Sequence, residues 1–228
     1  MSRRTVRVGA LAVALAAGLA VAACSSAPAG SQTAAKLIPE IVSAAESATS
    51  VHIAGSGPDG AKTVVLDMTF SGSSFVGTVG ENGENLYVLA VDGKTYIKIN
   101  AGFLQLAKAP PSACARVCGK YVKFPASSAS QLTGSLSLHK ILTQSFDNKN
   151  TKAAEQSGCE FSPATVRGQQ VLQCSQGGYT IDVAAHGKPY PVYYTGPHGE
   201  NLSFSEWNTA MPPAAPPSSQ VITIPHLG

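Results

Sequence analysis

The hydrophobic pattern changes period several times along the chain, and each change marks an element. Val8 to Ala23 is uncharged and apolar on every side. A tract of Ser, Ala, Pro, Gly, Gln and Thr follows to about residue 33, with too little apolar surface to offset chain entropy. Leu37, Ile38, Ile41, Val42, Ala45 and Ala48 then recur at helical spacing, which predicts a helix over residues 35–49, with Pro39 tolerated near its start. From Val51 the period falls to two. Short runs rich in β-branched and aromatic residues are separated by Asp59-Gly60, Ser71-Gly72, Asn82-Gly83 and Asp92-Gly93, the signature of an antiparallel meander. Within it, Val64, Leu66, Met68 and Phe70 alternate with Val65, Asp67 and Thr69, while Leu86 to Val91 is apolar on both faces and predicts a strand covered from both sides.

A second meander is predicted over residues 160–166, 169–175, 179–185, 190–195 and 201–207, with glycines at its junctions. Between the two, Leu132, Leu136, Leu138, Ile141, Leu142 and Phe146 predict a helical region over 131–146. The Pro-rich stretch 211–217 cannot join a sheet interior, and residues 221–224 are expected to dock as an edge strand. The order of helix, strands, helices and strands gives an α+β domain: one strongly curved antiparallel β-sheet with helices packed on its concave side.

Charge changes how the first segment is read. Arg3, Arg4 and Arg7 precede the apolar run and small residues close it, the three parts of an export signal. Sixteen helical residues reach about 24 Å against a hydrocarbon core of about 30 Å, so the run is read as a signal and not as a span. Those three arginines also account for the whole formal excess of +3. A mature chain without residues 1–23 is formally neutral, which gives no support to nucleic-acid binding or to a basic membrane-hugging surface.

Val21-Ala22-Ala23-Cys24 resembles the bacterial lipobox. The resemblance implies that Cys24 is acylated with palmitate-like chains, becomes the first residue, and anchors the protein to the outer face of the cell membrane. An ordinary signal cut near an incidental cysteine is the competing reading. Residues 2–7 match a twin-arginine export motif only in part, with Val6 where a large apolar residue is usual, so export by the Sec route is expected. The expected divisions are a signal over 1–23, a lipidated cysteine and tether over 24–34, and one domain over 35–228.

Four cysteines remain: Cys114, Cys118, Cys159 and Cys174. An even number in an exported chain reads as two disulfides, and proximity favours Cys114 with Cys118 and Cys159 with Cys174 among three possible pairings. The second pair flanks a turn at Val166-Arg167-Gly168-Gln169, so a hairpin would set its members opposite one another. Helical i,i+4 spacing would place the first pair near the upper end of disulfide geometry. Zinc is the other reading, but no histidine lies at ligand spacing, and no metal is expected.

Catalytic signals are weak. Gly55-Ser56-Gly57-Pro58-Asp59-Gly60 has the letters of a nucleotide loop, but the strand pattern after it is not the helix such a loop must open, so a turn is expected. His52, His139, His186, His198 and His226 are scattered, with no triad or ligand spacing, and are given solvated or structural roles. Neither a nucleophile elbow nor a catalytic Ser-x-x-Lys stands out. No catalytic residue and no cofactor is expected.

Several stretches form an ordered series: Val91-Asp92-Gly93-Lys94-Thr95-Tyr96-Ile97-Lys98-Ile99, Gly119-Lys120-Tyr121-Val122-Lys123-Phe124-Pro125, Val166 to Gln169, Pro191-Val192 and Phe204-Ser205-Glu206-Trp207. The series resembles the LppX/LprG-type lipoproteins of actinobacteria, whose fold is similar to the LolA/LolB half-barrel. The resemblance spans roughly residues 33–210 and implies a non-enzymatic carrier that holds acyl chains of glycolipids or phospholipids. The cysteines depart from it, since two disulfides are not a general feature of that family. The residues expected to meet lipid are the apolar alternates Val64, Leu66, Met68, Phe70, Leu86, Val88, Ile181 and Val183. The same alternation equally fits a solid core, in which case the protein would be a structural or interaction lipoprotein with an envelope protein as partner.

Overall fold

The computed structural model describes residues 30–81, 84–124 and 158–222, with Leu138, Lys152, Glu155 and Gln156 described singly. The signal segment, Cys24, the Asn82-Gly83 turn, His139, His226, residues 223–224 and all of the expected 131–146 helix except Leu138 lie outside them. Leu138 is itself helical and buried.

A two-residue strand β1 (Gln32–Thr33) leads into helix α1 (Ala34–Glu46), which buries Leu37, Ile38, Ile41, Ala44 and Ala45. Pro39 lies in the second turn, where its ring is exposed and the Ala35 carbonyl that loses its N–H partner lies near the helix start. The first meander follows as β2 (Ser50–Asp59), β3 (Lys62–Ser71), β4 (Ser74–Glu81), β5 (Glu84–Val91) and β6 (Lys94–Lys98). Asp92 and Gly93 both have positive φ, 51° and 68°, which suits the tight two-residue hairpin between β5 and β6. Then come α2 (Ala101–Leu106), α3 (Cys114–Val117) and β7 (Tyr121–Lys123). The second meander is β8 (Glu160–Val166), β9 (Gln169–Gln176), β10 (Tyr179–Ala184), β11 (Pro191–Thr195) and β12 (Asn201–Ser205), and β13 (Val221–Ile222) closes the order.

The thirteen strands among the described residues form one open sheet in the order β1-β8-β9-β10-β11-β12-β2-β3-β4-β5-β6-β7-β13. The two meanders are fused by β12 pairing with β2, so strands about 150 residues apart lie side by side. The sheet is mixed and not purely antiparallel as expected: β13 crosses back past six strands and pairs parallel to β7, with Val221 opposite Tyr121. The connection from β12 back to β13 runs through the Pro-rich stretch, which joins no strand. The last meander strand ends at Ser205, two residues early, because Glu206 takes a left-handed φ of 55°. The glycine-rich letters at 55–60 are mostly the end of β2, with only Gly60 in the turn.

The register puts one continuous apolar face across the sheet. At one end, α1 covers Phe161, Leu172 and Val183. At the other, Val51, Ile53, Met68, Phe70, Phe75, Val88 and Ile97 pack with Phe103, Leu104 and Leu138. Each such side chain contributes roughly 1.5–3 kcal/mol through burial. Strand β5 is covered on both faces as its sequence requires: Val88 and Ala90 join this core, while Leu89 and Val91 pack with Tyr96 on the opposite face.

Candidate functional site

Cα pairing across the apolar face divides it into rows. One row runs Ile53, Met68, Gly77, Val88, Ile97 and Val122, and its side chains are buried. The next row crosses seven strands as Ile181, Tyr194, Leu202, Gly55, Leu66, Val79 and Leu86, each directly opposite its neighbour. Every member of this second row is only partly buried. Beyond it, Val64 faces Glu81, and Glu81 faces Glu84, so the surface turns polar within one further pair. At 4.7–4.9 Å between strands, six spacings make the partly buried row about 29 Å long.

The eight expected lipid contacts all point to this face but separate in depth. Met68, Phe70, Val88 and Val183 are at most 1% exposed and belong to the packed core. Val64, Leu66, Leu86 and Ile181 are partly buried and lie in or beside the seven-strand row. Sequence alternation missed Val79, Leu202 and Tyr194, which complete the row; only the register shows that they are level with Leu66.

Two glycines shape the middle of the face. A Cβ on Gly55 would lie 1.9 Å from the Asn201 carbonyl oxygen, and one on Gly77 would lie 2.1 Å from that of Asp67. Gly77 also has a φ of 153°. They sit on β2 and β4, either side of β3, and let the neighbouring backbones approach where a side chain would hold them apart.

Both expected disulfides are formed. Cys114 and Cys118 are 4.7 Å apart at Cα, closer than i,i+4 helical spacing predicts and within disulfide geometry. Cys159 and Cys174 are 6.0 Å apart and tie the chain entering β8 to β9, two residues off the directly opposed position, since Ser162 faces Gln173.

The opposite face carries polar groups. His52 Nε2 lies 2.8 Å from Asp67 Oδ1, and its Nδ1 lies 3.2 Å from Ser205 Oγ, so the imidazole bridges β12, β2 and β3. Sequence spacing gave no hint of this line, whose members are 15 and 153 residues apart. Ser205 and Asp67 are exposed on the surfaces of β12 and β3. His186 and His198 are exposed. Among the described residues, no three His, Cys, Asp or Glu side chains converge to hold a metal, and no helix is long and apolar enough to cross a membrane.

Pieces of the family-like series meet in space. The Val91–Ile99 and Gly119–Phe124 stretches pair as β6 and β7, with Ile97 facing Val122. Trp207 Nε1 donates to the Pro191 carbonyl at 2.9 Å, and its ring stacks on Tyr190 at 4.8 Å and on Phe204 at 6.1 Å. Solved structures similar to the chain include mycobacterial lipoproteins of the LppX/LprG family, the family that the sequence series resembles. LprF from Mycobacterium bovis is 13% identical, over 78% of this chain and 94% of that one, with a TM-score of 0.47. Lipoprotein LppX from Mycobacterium tuberculosis is 14% identical, over 78% and 96%, with a TM-score of 0.44. An uncharacterized conserved protein from Thermus thermophilus is 10% identical, over 85% and 100%, with a TM-score of 0.34. No family model and no curated protein matches the chain.

Proposed function

We propose that the protein is a non-enzymatic lipoprotein of the cell envelope, tethered to the outer face of the membrane through Cys24, that holds the acyl chains of a glycolipid or phospholipid. The observation that carries this reading is the seven-strand row from Ile181 to Leu86. A solid core would bury such a row, and a surface strand would make it polar; here it is apolar and only partly covered. One leaflet accounts for about half of the ~30 Å hydrocarbon thickness, so a row about 29 Å long has room for an acyl chain laid across it. Each CH₂ removed from water there stabilises the complex by about 0.8 kcal/mol, which needs neither a cofactor nor polar specificity. The sheet is read as a half-barrel whose concave side is this face, with Gly55 and Gly77 as the positions that allow it to bend around β3.

The fully buried state of Met68, Phe70, Val88 and Val183 favours the second reading, a solid-cored interaction lipoprotein, for that half of the face. Leu66→Glu and Leu86→Glu separate the two. In the carrier, each lowers the affinity for a fluorescent fatty acid about tenfold or more while Tm changes little, because the site is already partly wet. Loss of Tm with no probe binding by the wild type contradicts the carrier reading and supports the solid core.

A further inference from the structure

The near balance of basic and acidic residues conceals a segregated charge. Lys94, Lys98, Lys108, Arg116, Lys120 and Lys123 fall within thirty residues that contain no Asp or Glu. The fold gathers half of them: Lys94, Tyr96 and Lys98 share one face of β6, and the pairing of Tyr96 with Lys123 and of Lys98 with Tyr121 puts all three lysines on the outer face, opposite the apolar row. Glu84, the acid on the neighbouring strand, is spaced by two from Leu86 and Val88 and so shares their face, the other one.

Lys98 has a particular setting among these cations. Its Nζ lies 5.9 Å from the centre of the Tyr87 ring and 5.8 Å from that of Tyr121, and the two rings meet edge to face at 6.3 Å. Among the described residues no carboxylate pairs with it, in contrast to Lys62, which pairs with Glu81. Beside it opens a cavity of about 300 Å³, lined by Tyr87, Lys98, Ile99, Asn100 and the Cys114–Cys118 bridge. The bridge fixes the far wall, and Asn100 is held by accepting from Phe103 N and donating to the Asn85 carbonyl. Burial, with the neighbouring Tyr121, holds the Tyr87 hydroxyl above its ordinary pKa, so it remains a neutral donor.

We infer that this cavity is an anion site, in which the Lys98 ammonium, held against the Tyr87 and Tyr121 rings, pairs with a phosphate group while the Tyr87 ring and the disulfide wall take the organic part that bears it. An ammonium already held by two rings and lacking a carboxylate gains a charge-assisted contact from such a ligand without breaking one. The remaining lysines of the outer face raise the local anion concentration without selecting among anions. The site is separate from the acyl row and stands or falls independently of it.

Calorimetric titration of the mature acylated protein, held in a neutral detergent at about 0.15 M salt, tests the inference. The probes are sn-glycerol 3-phosphate and dihexanoyl phosphatidylglycerol. The wild type is expected to bind at least one of them, Lys98→Gln to weaken that binding about tenfold, and Lys94→Gln to change it little. Binding of both probes with similar affinity identifies a free phosphate ester as sufficient; binding of the lipid alone identifies a headgroup. Lys98 is exposed, so its replacement leaves the fold intact, and Tyr87→Phe provides a second variant that weakens binding without removing charge. The inference is overturned by no binding of either probe, by a Lys98→Gln protein equal to the wild type, or by equal losses in Lys94→Gln.

Discussion

Asp182 on β10 is only 4% exposed and accepts a hydrogen bond from Gln173 Nε2 at 2.8 Å. Burial pushes its carboxyl above the ordinary carboxylate pKa, and neither that hydrogen bond nor the attraction of Arg167 outweighs it. Arg167 itself stacks on Tyr193 at 4.5 Å. Between the unfolded and the higher folded pKa, the native state holds more proton than the unfolded chain. The contribution of Asp182 to stability therefore falls as pH rises through that window and is flat above it. Asp182→Asn keeps an acceptor for Gln173 and removes the charge. Thermal melts are expected to show the variant gaining on the wild type as pH rises from about 3.5 to 7; a variant that loses stability at pH 7 relative to pH 3.5 would mean that the Arg167 attraction dominates. Nothing in the sequence singled out this residue, because its burial depends on β9 and β11 lying on either side of β10.

At the scale of elements, β4 shows what local reading reaches and where it stops. Its ends were legible, since Ser71-Gly72 and the return to alternating residues mark the hairpin into it. The role of Gly77 was not, because a lone glycine in a strand does not reveal whose backbone passes beside it. Gly77→Ala would press a methyl to 2.1 Å from the Asp67 carbonyl oxygen and is expected to cost about 2–3 kcal/mol. Gly60→Ala, at a turn with φ of 62° and open space around it, is expected to cost about 1 kcal/mol. Urea unfolding of the two variants checks the contrast; equal losses would remove the case for a close backbone approach at β4. Nearly all hairpins, α1 and both disulfide pairings were likewise legible, because each rests on contacts within about twenty residues. The fusion of β12 to β2 and the parallel arrival of β13 were not, since long-range strand order leaves no local trace.

For the whole molecule, the apolar alternates were readable and their depth was not. Leu66 and Met68 have the same pattern two residues apart, yet only register and cover place one in a partly buried row and the other in the core. The outer-face lysines show the reverse. The acid-free stretch from Lys94 to Lys123 was visible in the sequence, but the near balance of 16 basic and 13 acidic residues hid it until β6 and β7 put Lys94, Lys98 and Lys123 on one face. Two sites are thus set apart: an apolar row on one face of the sheet, and a cavity beside the end of β6 to which Lys98 and Tyr87 of the outer face contribute. The central claim concerns the first. Native mass spectrometry of the protein isolated from its own host tests it most directly. The account predicts a co-purifying acyl lipid that is retained by the wild type and lost from Leu66→Glu. A wild-type protein that carries no lipid beyond its covalent anchor, or a lipid retained equally by Leu66→Glu, contradicts it.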